Sequence, residues 1–207
     1  MRKGEKTRAI IVDEGVRLAS LQGLEALSIG DLARRLSLSK SGLFGHFGSK
    51  DALKLAVLER MVEQFTDEVL RPALNQESGL RRLETFFDGW VAWIKGGVLP
   101  GGCPLVAAAI ELDDQPGALK DYLADQQRKL VASLARMTAK AVAEGSFRAD
   151  LEVEQFAFEV YALGQGSSFW LRLLGSSGGD KRVFQAFHAM LARAARAAPG
   201  RPNRRLS

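Results

Sequence analysis

Residues 28–51 read SIGDLARRLSLSKSGLFGHFGSKD. Three serines in this run, Ser28, Ser39 and Ser49, each stand where a helix starts, because a serine hydroxyl accepts one of the backbone N–H groups that a first turn leaves unpaired. Asp31 occupies the third helical position behind Ser28, as in a capping box, and Leu27 and Leu38 are placed to staple onto Leu32 and Leu43. Two short capped helices joined by a tight turn at Ser37–Leu38 make a helix-turn-helix. On the second of them Leu43 and Phe47 share one side and form a buried seam, while Ser41 and Gly45 project to the other, flanked by Gly42 and Phe44. Gly42 and Gly45 each cost about 1 kcal/mol relative to alanine inside a helix, so a helix that keeps both has a use for a nearly bare outer face. That use is close approach to a surface. Lys40 and Lys50 stand at either end of the face, as groups that neutralise phosphates would.

The distribution of charge agrees. The net charge is +5, but residues 1–60 carry eleven Lys/Arg against seven Asp/Glu, residues 61–180 eleven against seventeen, and residues 181–207 seven against none. A basic leading segment ahead of an acidic body suits a nucleic-acid-binding head on a body with another task. The 207 residues, 46% of them hydrophobic, are ample for a core without disulfides or structural metal. A single cysteine excludes an intrachain disulfide and suits a reducing compartment. With no signal peptide and no uncharged run of membrane-spanning length, a cytoplasmic protein with no membrane partner is expected.

Helical spacing runs through the rest of the chain, so the expected fold class is all-α. A first helix spans about Glu5 to Gln22, with Ile11, Gly15, Leu18 and Ala19 on one face, and stops at Gly23. Ser49 opens a longer helix through Leu53, Val57, Met61 and Val69, ended by Pro72. SGLRRLETFFDGWVAWIKGG follows, then a glycine- and proline-rich loop enclosing a short helix, then a long helix that ends at Gly145. Two more cover roughly Val153–Leu174 and Lys181–Ala198, with Asp180 as a cap, and the remaining basic residues have the composition of a disordered tail. The domain division read from this is 1–50 for the head, 51–198 for the body and 199–207 for the tail.

The chemistry-bearing residues point away from catalysis. His46 and His188 are far apart in sequence, and no acidic cluster stands at ligand spacing, so neither a metal site nor a catalytic set is expected, and no cofactor. Cys103 precedes Pro104 at a helix start, where a thiol has a depressed pKa and can be reactive; the plainer reading is a small buried hydrophobe. Phe86, Trp90, Trp93, Tyr161 and Phe169 supply a body domain with more aromatic surface than DNA binding needs, and a subset lining a cavity with Cys103 would suit an apolar effector. Gly164, Ser168 and Leu171 lie along one side of a helix, where small residues allow close crossing, either within the chain or between two copies.

With those residues in view, the first sixty or so positions resemble the TetR family of bacterial transcriptional repressors. The ordered hallmarks are Gly23, Ser28–Ile29, Leu32–Ala33, Ser39, Leu43–Phe44, His46–Phe47 and Ser49–Lys50. The resemblance implies a ligand-responsive homodimer on a palindromic, double-stranded operator, released by an unidentified small-molecule effector, with half-sites roughly 34–36 Å apart. The implied DNA-facing set is Ser28, Arg34, Ser39, Lys40, Ser41, Gly42, Phe44, Gly45, His46 and Lys50. The implied dimer interface is built on the last two helices and draws on Gly164, Ser168, Leu171, Phe187 and Leu191. This chain departs from the family where Gly-Thr and Tyr are usual: it has Ser41-Gly42 and Phe44, so a threonine and a phenol that would contact DNA are missing. GGCPLVAAAIELDDQPGALKD is similar to a subset in which Gly-Gly-Cys opens a short helix of the ligand domain, some members of which respond to electrophiles or oxidants. A helical small-molecule-binding protein, or a thiol sensor acting through Cys103, is the alternative.

Overall fold

The computed structural model describes residues 3–175 and 178–195. α1 (Lys3–Gln22), α2 (Ile29–Arg35) and α3 (Lys40–Phe47) form a three-helix head, and α4 (Lys50–Phe65) leads out of it. The body contains α5 (Arg71–Leu74), α6 (Gly79–Ile94), α7 (Pro104–Leu112), α8 (Ala118–Ala143), α9 (Val153–Ser168) and α10 (Gly179–Ala194). Among the described residues the only extended pairing is an isolated antiparallel bridge, Phe147 with Ala195, so the all-α expectation holds. No helix among them is long and apolar enough to cross a membrane. The expected tail, 199–207, and the expected end of the last helix at Ala198 lie outside the described residues.

All three serines cap as their positions dictate. Ser28, Ser39 and Ser49 have extended backbones, and their hydroxyls accept the N–H groups of Asp31, Gly42 and Ala52 at 3.0 Å each. The turn between α2 and α3 places Ser37 at φ 54°, the only non-glycine residue with positive φ among those described. Leu27 is fully buried, as a staple should be, whereas Leu38 is 37% exposed and staples little.

Two expected boundaries are corrected. Pro72 does not end the fourth helix: α4 widens into a π-helical turn over Thr66–Leu70 and continues into α5, with Pro72 exposed in that helix's first turn. The widened turn directly ahead of it lets the helix pass a residue that has no N–H to donate. Asp180 does not cap α10; Gly178 does, in a left-handed conformation, and the Asp180 carboxylate accepts from the Lys181 N–H and the Lys95 ammonium instead. Gly145, at φ 75°, ends α8 as expected.

The head closes on Ile11, Leu18, Leu24, Leu27, Leu32, Leu43, Leu53 and Val57, all buried, each contributing about 1.5–3 kcal/mol of apolar burial. α4 is common to head and body, packing on α1 and α3 at one end and on α7 and α8 further along. Close approach is achieved with glycine: a Cβ at Gly79 would lie 2.2 Å from the Ala141 nitrogen. There the Gly79 N–H donates to Glu144 Oε2 at 2.7 Å, so the start of α6 is capped by the end of α8. The body core is aromatic. Phe65, Phe86, Trp90 and Trp93 meet edge to face at 5.4–6.3 Å, and Phe87 stacks on Phe187 with centroids 4.0 Å apart.

Candidate nucleic-acid interface and body cavity

α3 is held from beneath and left open above. Leu43 is fully buried, and Phe47 is half-buried rather than sealed, its ring covered by the Arg8 guanidinium of α1 at 5.0 Å. That cation–π contact ties α1 to α3 and has no sequence signature, since nothing in spacing pairs Arg8 with Phe47. On the opposite side Gly45 has no atom within 4 Å of where a Cβ would stand, Phe44 is 49% exposed, and Lys40, Ser41 and Gly42 are exposed. His46 is half-buried, edge-on to Phe47 at 6.4 Å. Lys40 and Lys50 are exposed and have no ion-pair partner among the described residues.

The hydroxyls of this surface are partly committed. Ser28 donates to Asp31 Oδ2 at 2.8 Å while accepting the Asp31 N–H, and with Arg34 and Arg35 nearby this holds the Asp31 carboxyl below its ordinary range, the Ser28 bond acting most. Arg34 reaches the same carboxylate but remains largely exposed. Ser39 caps α3 and its oxygen lies 3.3 Å from that of Ser41. Ser28 and Ser39 are thus structural first, and the free side chains of the face are Lys40, Phe44 and Lys50, with Arg34 exposed at its edge but paired to Asp31.

In the body, Phe86, Trp90, Trp93 and Cys103 come together as a packed, buried group. Cys103 sits at the start of α7, as its proline neighbour implied, but its thiol pKa is raised, not depressed. Burial is the largest cause; the N–H groups of Val106 and Leu105 and the indoles of Trp93 and Trp90 pull the other way and lose. Neither indole nitrogen reaches full hydrogen-bond geometry with any partner. Tyr161 stands next to this group, 6.3 Å from Trp90, and donates to Gln127 Oε1 at 3.1 Å across α8 and α9. It also borders an open, largely apolar depression of about 620 Å³ along α8, lined by Val131, Ala132, Ala135, Ala139, Arg128 and Arg136 among others. Phe169 does not join them: it lies in a π-helical turn beyond α9 and is 47% exposed.

The residues expected at an interface between copies face inward. A Cβ at Gly164 would lie 2.0 Å from the Trp90 ring, Phe187 is stacked on Phe87, Ser168 and Leu191 are buried, and Leu171 is half-buried. α9 carries two apolar stripes, and this one belongs to the chain's own core. The other stripe, Phe158, Ala162, Gly166, Phe169 and Leu173, is exposed, and a groove of about 320 Å³ runs beside it between α9 and α10. Its spacing was readable in the sequence; which stripe faces out was not, because both consist of small and apolar residues.

Comparison with known proteins gives a consistent picture. Residues 11–57 match the model "Bacterial regulatory proteins, tetR family", and residues 79–187 match "Tetracyclin repressor-like, C-terminal domain". The chain is 27% identical over 141 residues to the HTH-type transcriptional regulator TcmR of Streptomyces glaucescens, a match spanning 67% of this chain and 61% of that relative's length. In structure it is similar to a TetR transcriptional regulator from Chloroflexus aurantiacus J-10-FL, with a TM-score of 0.87 and 23% identity over 96% of this chain and 100% of that one. It is also similar to AibR, solved in complex with isovaleryl coenzyme A and operator DNA, with a TM-score of 0.72 and 19% identity over 90% of this chain and 98% of that one.

Proposed function

The chain belongs to the TetR family of DNA-binding transcriptional regulators, and from that premise we propose that it is a homodimeric repressor released from a palindromic operator by a small molecule. The observation that carries the operator reading is the outward face of α3, where, among the described residues, a Cβ at Gly45 would meet nothing within 4 Å and Lys40 and Lys50 stand without acidic partners. Bare backbone flanked by cations suits a helix entering the major groove between two phosphate chains. The exposed stripe of α9 and its groove against α10 suit a second copy, since an apolar face of that kind on an isolated chain would be costly.

The effector would bind in the depression bordered by Tyr161, and α7 would carry its influence to the head. One end of α7 begins at Cys103, against Trp90 and Trp93. At the other end, Glu111 accepts the Glu25 N–H at 2.9 Å, and ahead of the helix Gly101 donates to Ser20 Oγ at 3.3 Å, so the head rests on α7 and the loop before it. A ligand that displaces α7 more in one state than in the other changes the population of DNA-competent dimers, by tenfold for about 1.4 kcal/mol of differential affinity. AibR, which was solved with both a coenzyme A thioester and operator DNA, gives a precedent for both partners on this fold. The alternative thiol-sensor reading, drawn from the Gly-Gly-Cys motif, needs an accessible thiolate, and the burial of Cys103 runs against it. The test is to select duplexes from a randomised pool with the purified dimer and titrate them at several salt concentrations. A palindromic consensus with steeply salt-dependent affinity is expected; enrichment of no sequence would overturn the operator reading.

A further inference from the structure

We propose that Phe44 is the main base-reading side chain of α3 and that it reads thymine through the C5 methyl group. The proposal rests on the operator-binding role of α3 and goes beyond it by naming the chemistry of readout. Phe44 is the one large side chain on the outer face, 49% exposed, with no ring or guanidinium stacked on it among the described residues. The fold does not need it there, because the seam beneath α3 is closed by Leu43 and Phe47. Its neighbours on the face are small: Ser41, Gly42 and Gly45, the last with open space above it.

Base edges in the major groove present hydrogen-bond donors and acceptors and a single apolar feature, the thymine methyl. A phenyl ring has neither donor nor acceptor, so it discriminates bases only through that methyl. The serine hydroxyls of the face are partly committed: that of Ser39 caps the Gly42 N–H, and the Ser41 oxygen lies 3.3 Å from the Ser39 oxygen. Lys40 sits exposed at the start of α3, a position for a phosphate. The small residues on either side let the backbone come close enough for the ring to touch the groove floor. A half-site should therefore hold a thymine opposite Phe44, chosen by shape and apolar contact rather than by a hydrogen bond.

The experiment uses the duplex selected from a randomised pool by the wild-type protein. Each thymine of a half-site is replaced in turn by uracil, which removes only the methyl. At the thymine opposite Phe44 uracil should weaken binding about fourfold, the worth of one buried methyl group. A 5-methylcytosine pair there should bind more tightly than the unmethylated cytosine pair. Phe44→Ala should abolish both methyl effects at that position and leave uracil penalties elsewhere unchanged, while Phe44→Leu, which keeps an apolar body, should retain part of them. Equal uracil penalties in wild type and Phe44→Ala at every position would overturn the proposal, as would a uniform loss across all duplexes, which would make Phe44 a backbone contact. If the wild-type protein selects no duplex, the operator reading itself fails, an outcome separate from the other two.

Discussion

Glu111, near the end of α7, accepts the backbone N–H of Glu25 at 2.9 Å, joining body to head across the loop that links α1 to α2. Its other carboxylate oxygen fills the place a Cβ at Gly23 would take, 2.1 Å away, and Gly23 has φ 90°. Glu111→Ala should therefore speed hydrogen exchange at the Glu25 amide and lower stability by about 2 kcal/mol, the usual scale for a hydrogen bond to a charged group. In a chain of this size that is a fall of roughly 4–8 °C in Tm. An unchanged exchange rate at Glu25 would mean that α7 does not hold the head.

Glu25 also meets Lys54 at 2.6 Å, and the two partners are unequally buried, with side chains 38% and 5% exposed. Removing one partner should then cost unequally. Glu25→Ala strands a buried ammonium, a loss of about 3–5 kcal/mol. Lys54→Met leaves a carboxylate that water can reach and fills the space with an apolar chain, so the loss should stay below about 1.5 kcal/mol. Urea midpoints of the two variants decide it; equal losses would show that Lys54 can find water.

The head was legible almost residue by residue because its signals are local. Serine caps, a turn at Ser37 and glycine stops act within a few residues, and each fell where expected. What sequence spacing could not deliver was long-range or depended on choosing between like faces. Arg8 over Phe47, Glu111 at Glu25 and Glu144 at Gly79 join positions with no periodic relation. The inward and outward stripes of α9 are both apolar, so spacing does not tell which of them meets the core; the stripe with Gly164, placed at the interface only by the resemblance, packs on Trp90. Cys103 shows the same limit: the Cys-Pro pair marks the helix start, while the burial that decides for the plainer reading, a small buried hydrophobe, comes from another helix.

That burial has a pH signature. The folded Cys103 thiol is raised above its ordinary value, so the folded state holds this proton more tightly than the unfolded state does. The resulting stability is fully present below the unfolded thiol pKa of about 8.5 and is lost progressively as pH rises above it. Wild type should accordingly lose more stability than Cys103→Ala between neutral and alkaline pH. In calorimetric scans at rising pH, parallel Tm curves for the two would remove Cys103 as the cause. Alkylation of native protein by a maleimide at neutral pH should be slow and should track unfolding.

The outward stripe of α9 separates the two interface readings. Ala162 is exposed on that stripe, so Ala162→Glu should leave the fold intact while dissociating the dimer and weakening operator binding, because a lone half-site contact is poor. Gly164→Ala should act on the fold instead, since its added methyl meets the Trp90 ring at 2.0 Å. Sedimentation and melting curves of the pair give the answer. A monomeric Ala162→Glu with undiminished operator affinity would sink the dimer reading.

Gly45 offers the sharpest division between folding and DNA binding. Nothing lies within 4 Å of the position its Cβ would take, and the residue is exposed on the side of α3 opposite Leu43. In free protein Gly45→Leu adds no clash and replaces a poor helix former with a good one, so stability should rise by somewhat under 1 kcal/mol. On DNA the same side chain would stand between the helix backbone and the groove floor and force the helix outward, so selected duplexes should lose most of their affinity. Gly79 is the control. It too begins with no side chain, but a methyl group there would meet the Ala141 nitrogen at 2.2 Å and the Met137 oxygen at 2.6 Å, both rigid helix backbone. Gly79→Ala should therefore melt several degrees lower while the head keeps its surface for DNA. Opposite signs in the two melting curves, with affinity lost only in Gly45→Leu, are the expected result. A Gly45→Leu protein that melts well below wild type would mean that α3 presents a different face, and a stable one that still binds the selected duplex would mean that its backbone does not approach the groove.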